Sequence, residues 1–248
     1  SVDIARESIS FLSWNLAMLQ RPAFAPSHWE LCDTEEIIRE QILASGPDIV
    51  HFQELPALVP FAETHEMVKA NPLSHSGNLA TLVSHDLLET GISHLSVEGC
   101  ALLTTFPAFG LTVANVHLAP GKSGGGKRLT QISQIVAASP TEHLVIIGDT
   151  NTRSADVAAI TEAGLTAPRS PGPTWNSFKN RFHLQAPKFR ASFTRCFAHP
   201  KVEIYDLQVL EGRVIRNDKA FCVSDHFALF GSCLLYTSPS PRDLSTSR

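Results

Sequence analysis

The sequence predicts one α/β sandwich domain, residues 1–235, in which two central mixed β-sheets are flanked by helices. Strand-like apolar runs alternate with helical segments along most of the 248 residues, a pattern that favours sheets covered by helices. Hydrophobic residues make up 43% of the chain and charged residues 18%, as in globular proteins that bury a large core. The chain has no internal repeat and no break in composition before residue 236, so we expect a single domain.

The first half of the chain alternates strands with one long helix. Asp33 and Glu36 are interpreted as a capping box, apolar residues follow at helical spacing, and Gly46-Pro47 ends the helix. Short apolar runs rich in β-branched residues indicate the strands. The predicted elements are strands at 9–16, 48–55, 101–106 and 111–118 and a helix at 32–45.

The second half continues this alternation and then becomes rich in strands. A Gly-rich loop at 122–127 precedes a helix, and Gly164 suits the C-terminal end of a later short helix. Beyond Pro168, frequent prolines and glycines indicate strands joined by turns. Residues 236–248, rich in Ser, Thr, Pro and Arg, are interpreted as a disordered tail or a remnant of cloning. The predicted elements are helices at 128–138 and 155–163 and strands at 144–149 and 221–230.

Charge and cysteine content limit the classes of function. The net charge of −4 and the pI near 6.2 exclude a global basic field for nucleic acid but leave room for a local basic patch. Five cysteines without a CxxC pair argue against a zinc site and predict an intracellular protein, nuclear or cytoplasmic. No apolar run reaches the roughly 18 residues that a membrane span requires. The chain starts at Ser1 without an initiator Met, which leaves a preceding segment open.

Polar residues end or follow four of the predicted strands, and a fifth predicted strand carries a further polar pair. Buried strands gain no stability from such endings, whereas rigid strands often deliver functional groups to a shared rim. Residues two apart on a strand face the same side. We therefore expect Asp149 and Asn151 to face one cavity if the extended geometry persists through Thr150. The residues concerned are Asn15, Gln53-Glu54, Asn115 with His117, Asp149 with Asn151, and Asp225-His226.

The combination of these side chains indicates hydrolysis of a phosphate ester with a hard divalent cation. Each feature alone has an ordinary explanation, such as a turn residue at Asp149. Together, carboxylates and amides without cysteine suit Mg²⁺ or Mn²⁺ rather than zinc. Glu54 would hold the cation, and Asp149 would orient and deprotonate the attacking water. The side chains of Asn151, His117 and His226 would donate to the charge that builds on the phosphoryl oxygens.

Five short motifs occur in an order that resembles a known enzyme superfamily. They span nearly the whole chain, and their order is more specific than any one of them. The motifs are SWNL at 13–16, DIVHFQEL at 48–55, NVHL at 115–118, IIGDTN at 146–151 and SDHFAL at 224–229. The chain is thereby similar to the endonuclease/exonuclease/phosphatase superfamily. This resemblance implies a four-layered, DNase I-like α/β sandwich and a metal-dependent phosphoric diester hydrolase.

Within that superfamily the sequence most resembles the tyrosyl-DNA phosphodiesterase 2 enzymes. This narrower resemblance rests on GDTN at 148–151, RLTQ at 128–131 and TWN at 174–176. It implies that Asn15 lies beside the metal and that Glu54 is the main metal ligand. It also implies that Asp225 helps to hold the metal region and that His226 stabilises the transition state.

Two positions depart from the pattern of the superfamily. An acid usually stands two residues after the first Asn, where this chain has Ala17, and an Asp usually pairs with the catalytic His, where this chain has Thr194. A Thr hydroxyl can accept a hydrogen bond from the imidazole of His226, but it cannot stabilise imidazolium as a carboxylate does. These departures leave open a lower activity, a shifted pH dependence or a non-catalytic homologue that binds phosphate.

Three further residues are candidates for substrate binding. Lys122 and Arg128 flank the Gly-rich loop, whose backbone and cations suit phosphate, and Trp175 suits stacking on a base. The alternatives are a plain surface loop for the first two residues and packing against the sheet for Trp175. A P-loop is excluded because one of its glycines would fall at Val116 inside a strand. A serine hydrolase lacks support because Ser224 lies too close in sequence to Asp225 and His226 to be a separately placed nucleophile.

The sequence thus predicts a Mg²⁺- or Mn²⁺-dependent phosphodiesterase that acts at nucleic-acid ends, with 5′-phosphotyrosyl-DNA as an example and DNA repair as the process. Water attacks phosphorus without a covalent enzyme intermediate. A phosphatase or nuclease acting on small nucleotides, phosphoinositides or lipid head groups stays open, and the acidic pI favours these over long duplex DNA. We expect a monomer.

Overall fold

The structure, a computed structural model, describes residues 8–56, 63–73 and 77–235, so the tail at 236–248 lies outside the described residues. The α-helices are α1 Leu31–Ser45, α2 His85–Leu88, α3 Gly125–Ala138 and α4 Ser154–Glu162, and 3₁₀ turns cover Ala17–Leu19, Pro107–Phe109 and Lys122–Gly124. The strands are β1 Ser8–Asn15, β2 Ile49–Leu55, β3 His65–Leu73, β4 Gly77–Ser84, β5 Ser93–Val97, β6 Ala101–Phe106, β7 Leu111–His117, β8 His143–Asp149, β9 Trp175–Asn176, β10 Arg190–Ala191, β11 Thr194–Ala198, β12 Val202–Leu210, β13 Arg213–Arg216, β14 Lys219–Cys222 and β15 Ala228–Leu235.

Two mixed sheets form the centre of the fold. Within the described residues, the first sheet has the strand order β12-β15-β1-β2-β4-β3 and the second the order β11-β8-β7-β6-β5. The pairs β1–β2 and β7–β8 are parallel, whereas the other neighbours in both sheets are antiparallel. Parallel neighbours end at the same edge of a sheet. The predicted fold class, an α/β sandwich with two mixed sheets, is confirmed.

Apolar side chains on both faces of each sheet create four layers. On one outer side, Ile38 of α1 packs in a cluster with Leu12 of β1. Between the sheets, Phe11 of β1 packs in a cluster with Val113 of β7. On the other outer side, Ile132 of α3 joins a cluster with residues of β6, β7 and β8. Leu12 and Phe11 are neighbours in sequence and face opposite layers, as the two-residue period of a strand requires.

Most of the predicted elements are present, and the differences have local causes. The helix α1 starts at Leu31 because Glu30 and Asp33, rather than Asp33 and Glu36, form its capping box. The predicted strand at 221–230 is divided into β14 and β15, because the Ser224 hydroxyl accepts a hydrogen bond from the backbone of His226 and bends the chain. The prediction misses β3, β4, α2 and β5. Of these, β3 and β5 are edge strands with weak apolar patterns. Among the described helices, none is long and apolar enough to cross a membrane.

A polar layer links the two sheets in the interior. The Gln53 side chain on β2 donates to Asn115 Oδ1 on β7 across 2.8 Å. Nearby on β2, His51 Nδ1 lies 3.0 Å from the carbonyl oxygen of Ile147 on β8. The other ring nitrogen of His51 is buried and has no hydrogen-bond partner among the described residues. Burial lowers the pKa of His51 to about 4, so this imidazole is neutral at pH 7.

The buried His51 predicts a loss of stability in mild acid. The folded protein binds the His51 proton only near pH 4, whereas the unfolded chain binds it near the ordinary pKa of 6.5. The stability is therefore fully present above about pH 6.5 and declines as the pH falls towards 4, by about 3 kcal/mol for this one group. Denaturant unfolding from pH 7.5 to 4.5 should show this slope. In His51→Gln the slope should be shallower, and parallel curves for the two proteins would contradict the prediction.

Candidate active site

The parallel strand pairs place polar side chains of both sheets at one shared edge. In the first sheet, Asn15 at the end of β1 is level with Gln53 on β2. In the second sheet, His117 at the end of β7 is level with Asp149 at the end of β8. The Asn15 side chain donates across the gap between the sheets to Asp149 Oδ2 at 2.9 Å. The structure therefore gathers residues that are more than 130 positions apart in the chain.

A β-bulge turns Glu54 towards this edge. The register of β2 against β4 is interrupted between Phe52 and Leu55, and Glu54 has a left-handed backbone with φ of 53°. A non-glycine residue in this region is uncommon and costs energy, and such residues cluster at functional sites. The bulge re-aims the side chain, and Glu54 Oε1 accepts a hydrogen bond of 2.9 Å from Asn15 Nδ2.

Asp149 is positioned by the close approach of β7 to β8. A Cβ atom on Gly148 would collide with the backbone oxygen of Val116 and would lie 2.7 Å from its nitrogen. Only glycine therefore allows the two strands to pair at this point. This explains the glycine in front of Asp149, which is itself 2% exposed.

Asn151 reaches the site by a turn rather than by continued extension of β8. Its φ is 51°, so the extended geometry expected through Thr150 is not present. Instead, the backbone N–H of Asn151 donates to Asp149 Oδ1 at 3.3 Å, and its side chain donates to the carbonyl oxygen of Leu118 at 3.1 Å. The two side chains are neighbours as predicted, but through an Asx-type turn, which Asn tolerates because of its short polar side chain.

Two imidazoles face Asp149. His117 Nε2 lies 3.6 Å from Asp149 Oδ2, and His226 Nε2 lies 3.9 Å from the same oxygen. The Trp175 ring is perpendicular to the His226 ring at a centroid distance of 5.1 Å and stacks on Phe189 at 5.6 Å. Of the two sequence interpretations of Trp175, the structure shows the packing role, which fixes the orientation of His226.

The partner expected for His226 is not found. Nδ1 of His226 and the hydroxyl of Thr194 are both buried without a hydrogen-bond partner among the described residues, so the expected hydrogen bond between them is absent. Thr174 contacts the backbone of both segments, because its hydroxyl accepts from Thr194 N at 2.9 Å and its carbonyl from Phe227 N at 2.7 Å. The backbone of Thr174 is thus held between the segments that carry the two side chains.

Asp225 has a partner that sequence reasoning missed. His183 Nε2 lies 3.0 Å from Asp225 Oδ2, whereas Asp225 Oδ1 is 3.9 Å from His226. His183 lies in an irregular segment between β9 and β10, where neither spacing nor motif marks it. The carboxylate of Asp225, predicted to help hold the metal region, contacts this exposed histidine through one of its two oxygens.

Arg128 lies in the interior and not on a substrate-binding surface. It is 1% exposed, and its guanidinium contacts Asp156 Oδ2 through Nε at 2.9 Å and Nη2 at 2.7 Å. Nη1 donates to the carbonyl oxygens of Ala119 and Gly121. The prediction of direct substrate contact is therefore replaced by a structural role, in which Arg128 fixes the loop that follows His117. Lys122 is exposed on this loop.

The buried arginine requires a glycine at one position of the Gly-rich loop, Gly124. A Cβ atom on Gly124 would lie 2.8 Å from Arg128 Nη1 and 3.2 Å from the oxygen of Ala119, while one on Gly126 would meet no atom within 4 Å. We expect Gly124→Ala to destabilise the protein by about 1–3 kcal/mol through overpacking. In contrast, the matched variant Gly126→Ala should stabilise α3 by about 0.5–1 kcal/mol. Denaturant unfolding of both variants checks this, and equal effects would contradict it.

The side chains at the shared edge fit a divalent cation. One ligand atom each from Glu54, His117 and Asp149 lies within 4.8 Å of the others. Two carboxylates this close repel each other unless a cation or proton lies between them. Asn15, predicted to lie beside the metal, directs its NH₂ group towards both carboxylates. Asp225 is not in this group.

Comparison with known proteins identifies the fold. No protein-family model and no curated protein matches the sequence. Among solved structures, truncated TDP2 of Caenorhabditis elegans has a TM-score of 0.68 at 20% identity, covering 92% of this chain and 98% of that chain. TDP2 of D. rerio complexed with a single-stranded DNA product has a TM-score of 0.69 at 18% identity, covering 91% and 98%.

A bacterial structure extends the similarity beyond TDP2. An endonuclease/exonuclease/phosphatase family protein from Bacteroides thetaiotaomicron has a TM-score of 0.63 at 17% identity and covers 93% of this chain and 98% of that chain. The similarity thus extends over nearly the whole chain. The protein has the four-layered fold of the endonuclease/exonuclease/phosphatase proteins and is structurally similar to TDP2 over nearly its whole described length.

Proposed function

We propose that the protein is a metal-dependent phosphodiesterase that hydrolyses phosphodiester bonds at nucleic-acid ends, with a 5′-phosphotyrosyl link as the leading candidate. One observation carries this proposal. Glu54 and Asp149, from different sheets, meet at one edge with Asn15 between them and His117 beside them. Carboxylates held this close suit an attack of water on phosphorus more than they suit any structural purpose.

The residues have distinct roles in this reaction. Glu54 and its neighbours would hold a divalent cation, which would neutralise charge on the phosphoryl oxygens. Asp149 accepts a proton from the attacking water, because its carboxylate is fixed by Asn15 and by the backbone of Asn151. The N–H groups of His117 and His226, which face Asp149 from two sides, donate to the oxygens that gain charge in the transition state.

A basic segment beside the site supports a nucleic-acid substrate. Residues 174–190 contain four Lys or Arg residues and no Asp or Glu, although the whole chain has a net charge of −4. Trp175 of this segment packs on His226, and Phe178 and Phe189 are exposed at 56% and 38%. Cations interleaved with aromatic rings suit single-stranded nucleic acid, because phosphates pair with the cations and bases stack on the rings.

The cysteines support an intracellular location. All five are free, and burial raises the pKa of Cys222 and of Cys233 to about 12. Such thiols are unreactive at neutral pH. Five unpaired cysteines fit a reducing compartment, the cytoplasm or the nucleus.

A cleavage assay tests the proposal. The substrate is a labelled single-stranded oligonucleotide with a 5′-phosphotyrosyl end, incubated with protein and Mg²⁺ or Mn²⁺ and separated on a gel. We expect release of tyrosine that leaves a 5′-phosphate, and we expect its loss with EDTA and in Asp149→Asn but not in Asp86→Asn, which changes an exposed acid on α2. Trimming or nicking alone would support a nuclease instead. With no cleavage of this strand or of small phosphoesters, the protein would be a non-catalytic phosphate binder.

A further inference from the structure

His226 stands between two carboxylates and is hydrogen-bonded to neither. Its Nε2 lies 3.9 Å from Asp149 Oδ2 and 3.9 Å from Asp225 Oδ1, and both distances exceed those of hydrogen bonds. The ring packs edge-on against Trp175. The proposed function requires the N–H group at Nε2 to donate to a phosphoryl oxygen. A carboxylate that closed on this group would therefore compete with the substrate.

The backbone on both sides of Asp225 is fixed, so side-chain torsions decide where its carboxylate points. The Asn180 side chain donates to the carbonyl oxygen of Ser224 at 2.9 Å. On the other side, the carbonyl oxygen of His226 accepts from the indole N–H of Trp14 at 2.9 Å. With both neighbours held, rotation between staggered rotamers can still carry the carboxylate towards His226 or away from it.

His183 makes the shorter of two contacts with this carboxylate. Its Nε2 lies 3.0 Å from Asp225 Oδ2. An ionised carboxylate only accepts hydrogen bonds, so Nε2 of His183 carries the proton and donates. The other carboxylate oxygen, Oδ1, stays 3.9 Å from His226. The Asp225 carboxylate is thus drawn towards the exposed histidine and stops short of the buried one.

The position of His183 is itself set by buried neighbours. The ring of Phe182 is 2% exposed and lies edge-on to the His183 ring at a centroid distance of 4.8 Å. The backbone N–H of Phe182 donates to Asn180 Oδ1 at 2.9 Å, and its carbonyl oxygen accepts from Ala23 N at 2.8 Å. The side chain of His183, although 39% exposed, is therefore placed by a buried anchor.

We propose that His183 is a positioning residue for His226, because its hydrogen bond to Asp225 keeps that carboxylate from capturing the Nε2–H group of His226. This group then stays free to donate to the phosphoryl oxygen. The inference rests on the proposed function in that role of His226, and it adds a residue from the irregular segment between β9 and β10. Without His183, the Asp225 carboxylate would close the 3.9 Å gap and pair with the imidazole.

Nuclear magnetic resonance of the metal-free full-length protein tests the positioning without substrate. Histidine is labelled with ¹⁵N, and the ring nitrogen shifts of His226 are recorded at pH 7.5. In His183→Ala the Nε2 signal should move downfield, because Asp225 now accepts from this group. It should return in His183→Ala/Asp225→Ala and stay in place in His94→Ala, which changes an exposed histidine on β5. An unmoved signal in His183→Ala would overturn the proposal.

Turnover separates a positioning role from a substrate contact. On the 5′-phosphotyrosyl strand, His183→Ala should lower kcat by about tenfold or more and change KM much less. His183→Gln, whose amide can still donate to Asp225, should keep most of the activity. Once Asp225 is replaced with alanine, His183→Ala should have no further effect.

The outcomes distinguish this inference from the proposed function. Additive effects of the two substitutions, or a rise in KM with kcat unchanged, would contradict the positioning role and leave the phosphodiesterase in place. In contrast, the expected ¹⁵N shift in a protein that cleaves no phosphodiester would support the contact between His183 and Asp225 and remove the proposed function.

Discussion

Replacing Asp149 with asparagine is expected to lower kcat for phosphodiester hydrolysis by about 10³-fold, the effect of removing a general base. Asparagine keeps the shape of the side chain and can still accept from Asn15, but it cannot take a proton from water. The carboxylate is 2% exposed and is contacted by side chains of both sheets, so no neighbouring water can replace it easily. Initial rates at saturating substrate measure this change.

A stability measurement separates this loss of chemistry from unfolding. The Asn15 NH₂ group donates to Glu54 and Asp149 at 2.9 Å each, so the two carboxylates are near neighbours of like charge. Removing one charge relieves repulsion in the metal-free protein. The thermal midpoint of Asp149→Asn in EDTA should therefore equal or exceed that of the parent protein. Stabilisation by added Mn²⁺ should shrink. An inactive variant with a much lower midpoint in EDTA would instead indicate a structural role for Asp149.

The site residues that one sequence can indicate are those at the ends of strands. Asn15, His117 and Asp149 stand at the ends of apolar runs, and the two-residue period with parallel pairing brings such ends together. The fold class follows from the same patterns, because apolar runs of this length must be covered on both faces. Local sequence therefore carries information about which residues meet.

The residues that sequence reasoning placed differently are those whose environment depends on distant contacts. Arg128 opens a helix and looks exposed, but its partner Asp156 is 28 positions away on α4. The bulge at Glu54 arises from pairing with β4, which the apolar pattern did not reveal. Likewise, His183 meets Asp225 only because an irregular segment folds back on the site. Such contacts have no local periodicity, so they leave no signal in one sequence.

The buried pair of Arg128 and Asp156 yields the largest predicted effect on stability. We expect Arg128→Met to destabilise the protein by about 3–5 kcal/mol, because it leaves the Asp156 carboxylate buried without its cation. Asp156 is 7% exposed and also accepts from the backbone N–H of Arg153 at the start of α4. A loss of this size is a large part of the stability of an ordinary domain. Denaturant unfolding at pH 7.5 provides the measurement.

The double variant Arg128→Met/Asp156→Asn identifies the cause of that loss. Asparagine can still accept from Arg153 N, while neither charge remains, so the double variant should be more stable than Arg128→Met alone.

Below its unfolding temperature, Arg128→Met should lower kcat, because Arg128 Nη1 no longer holds Ala119 and Gly121 in the loop that follows His117. A direct role in substrate binding would give the opposite pattern. Stability would then change little, while KM would rise, since a phosphate contact on the surface would be lost and the packing of the loop would remain.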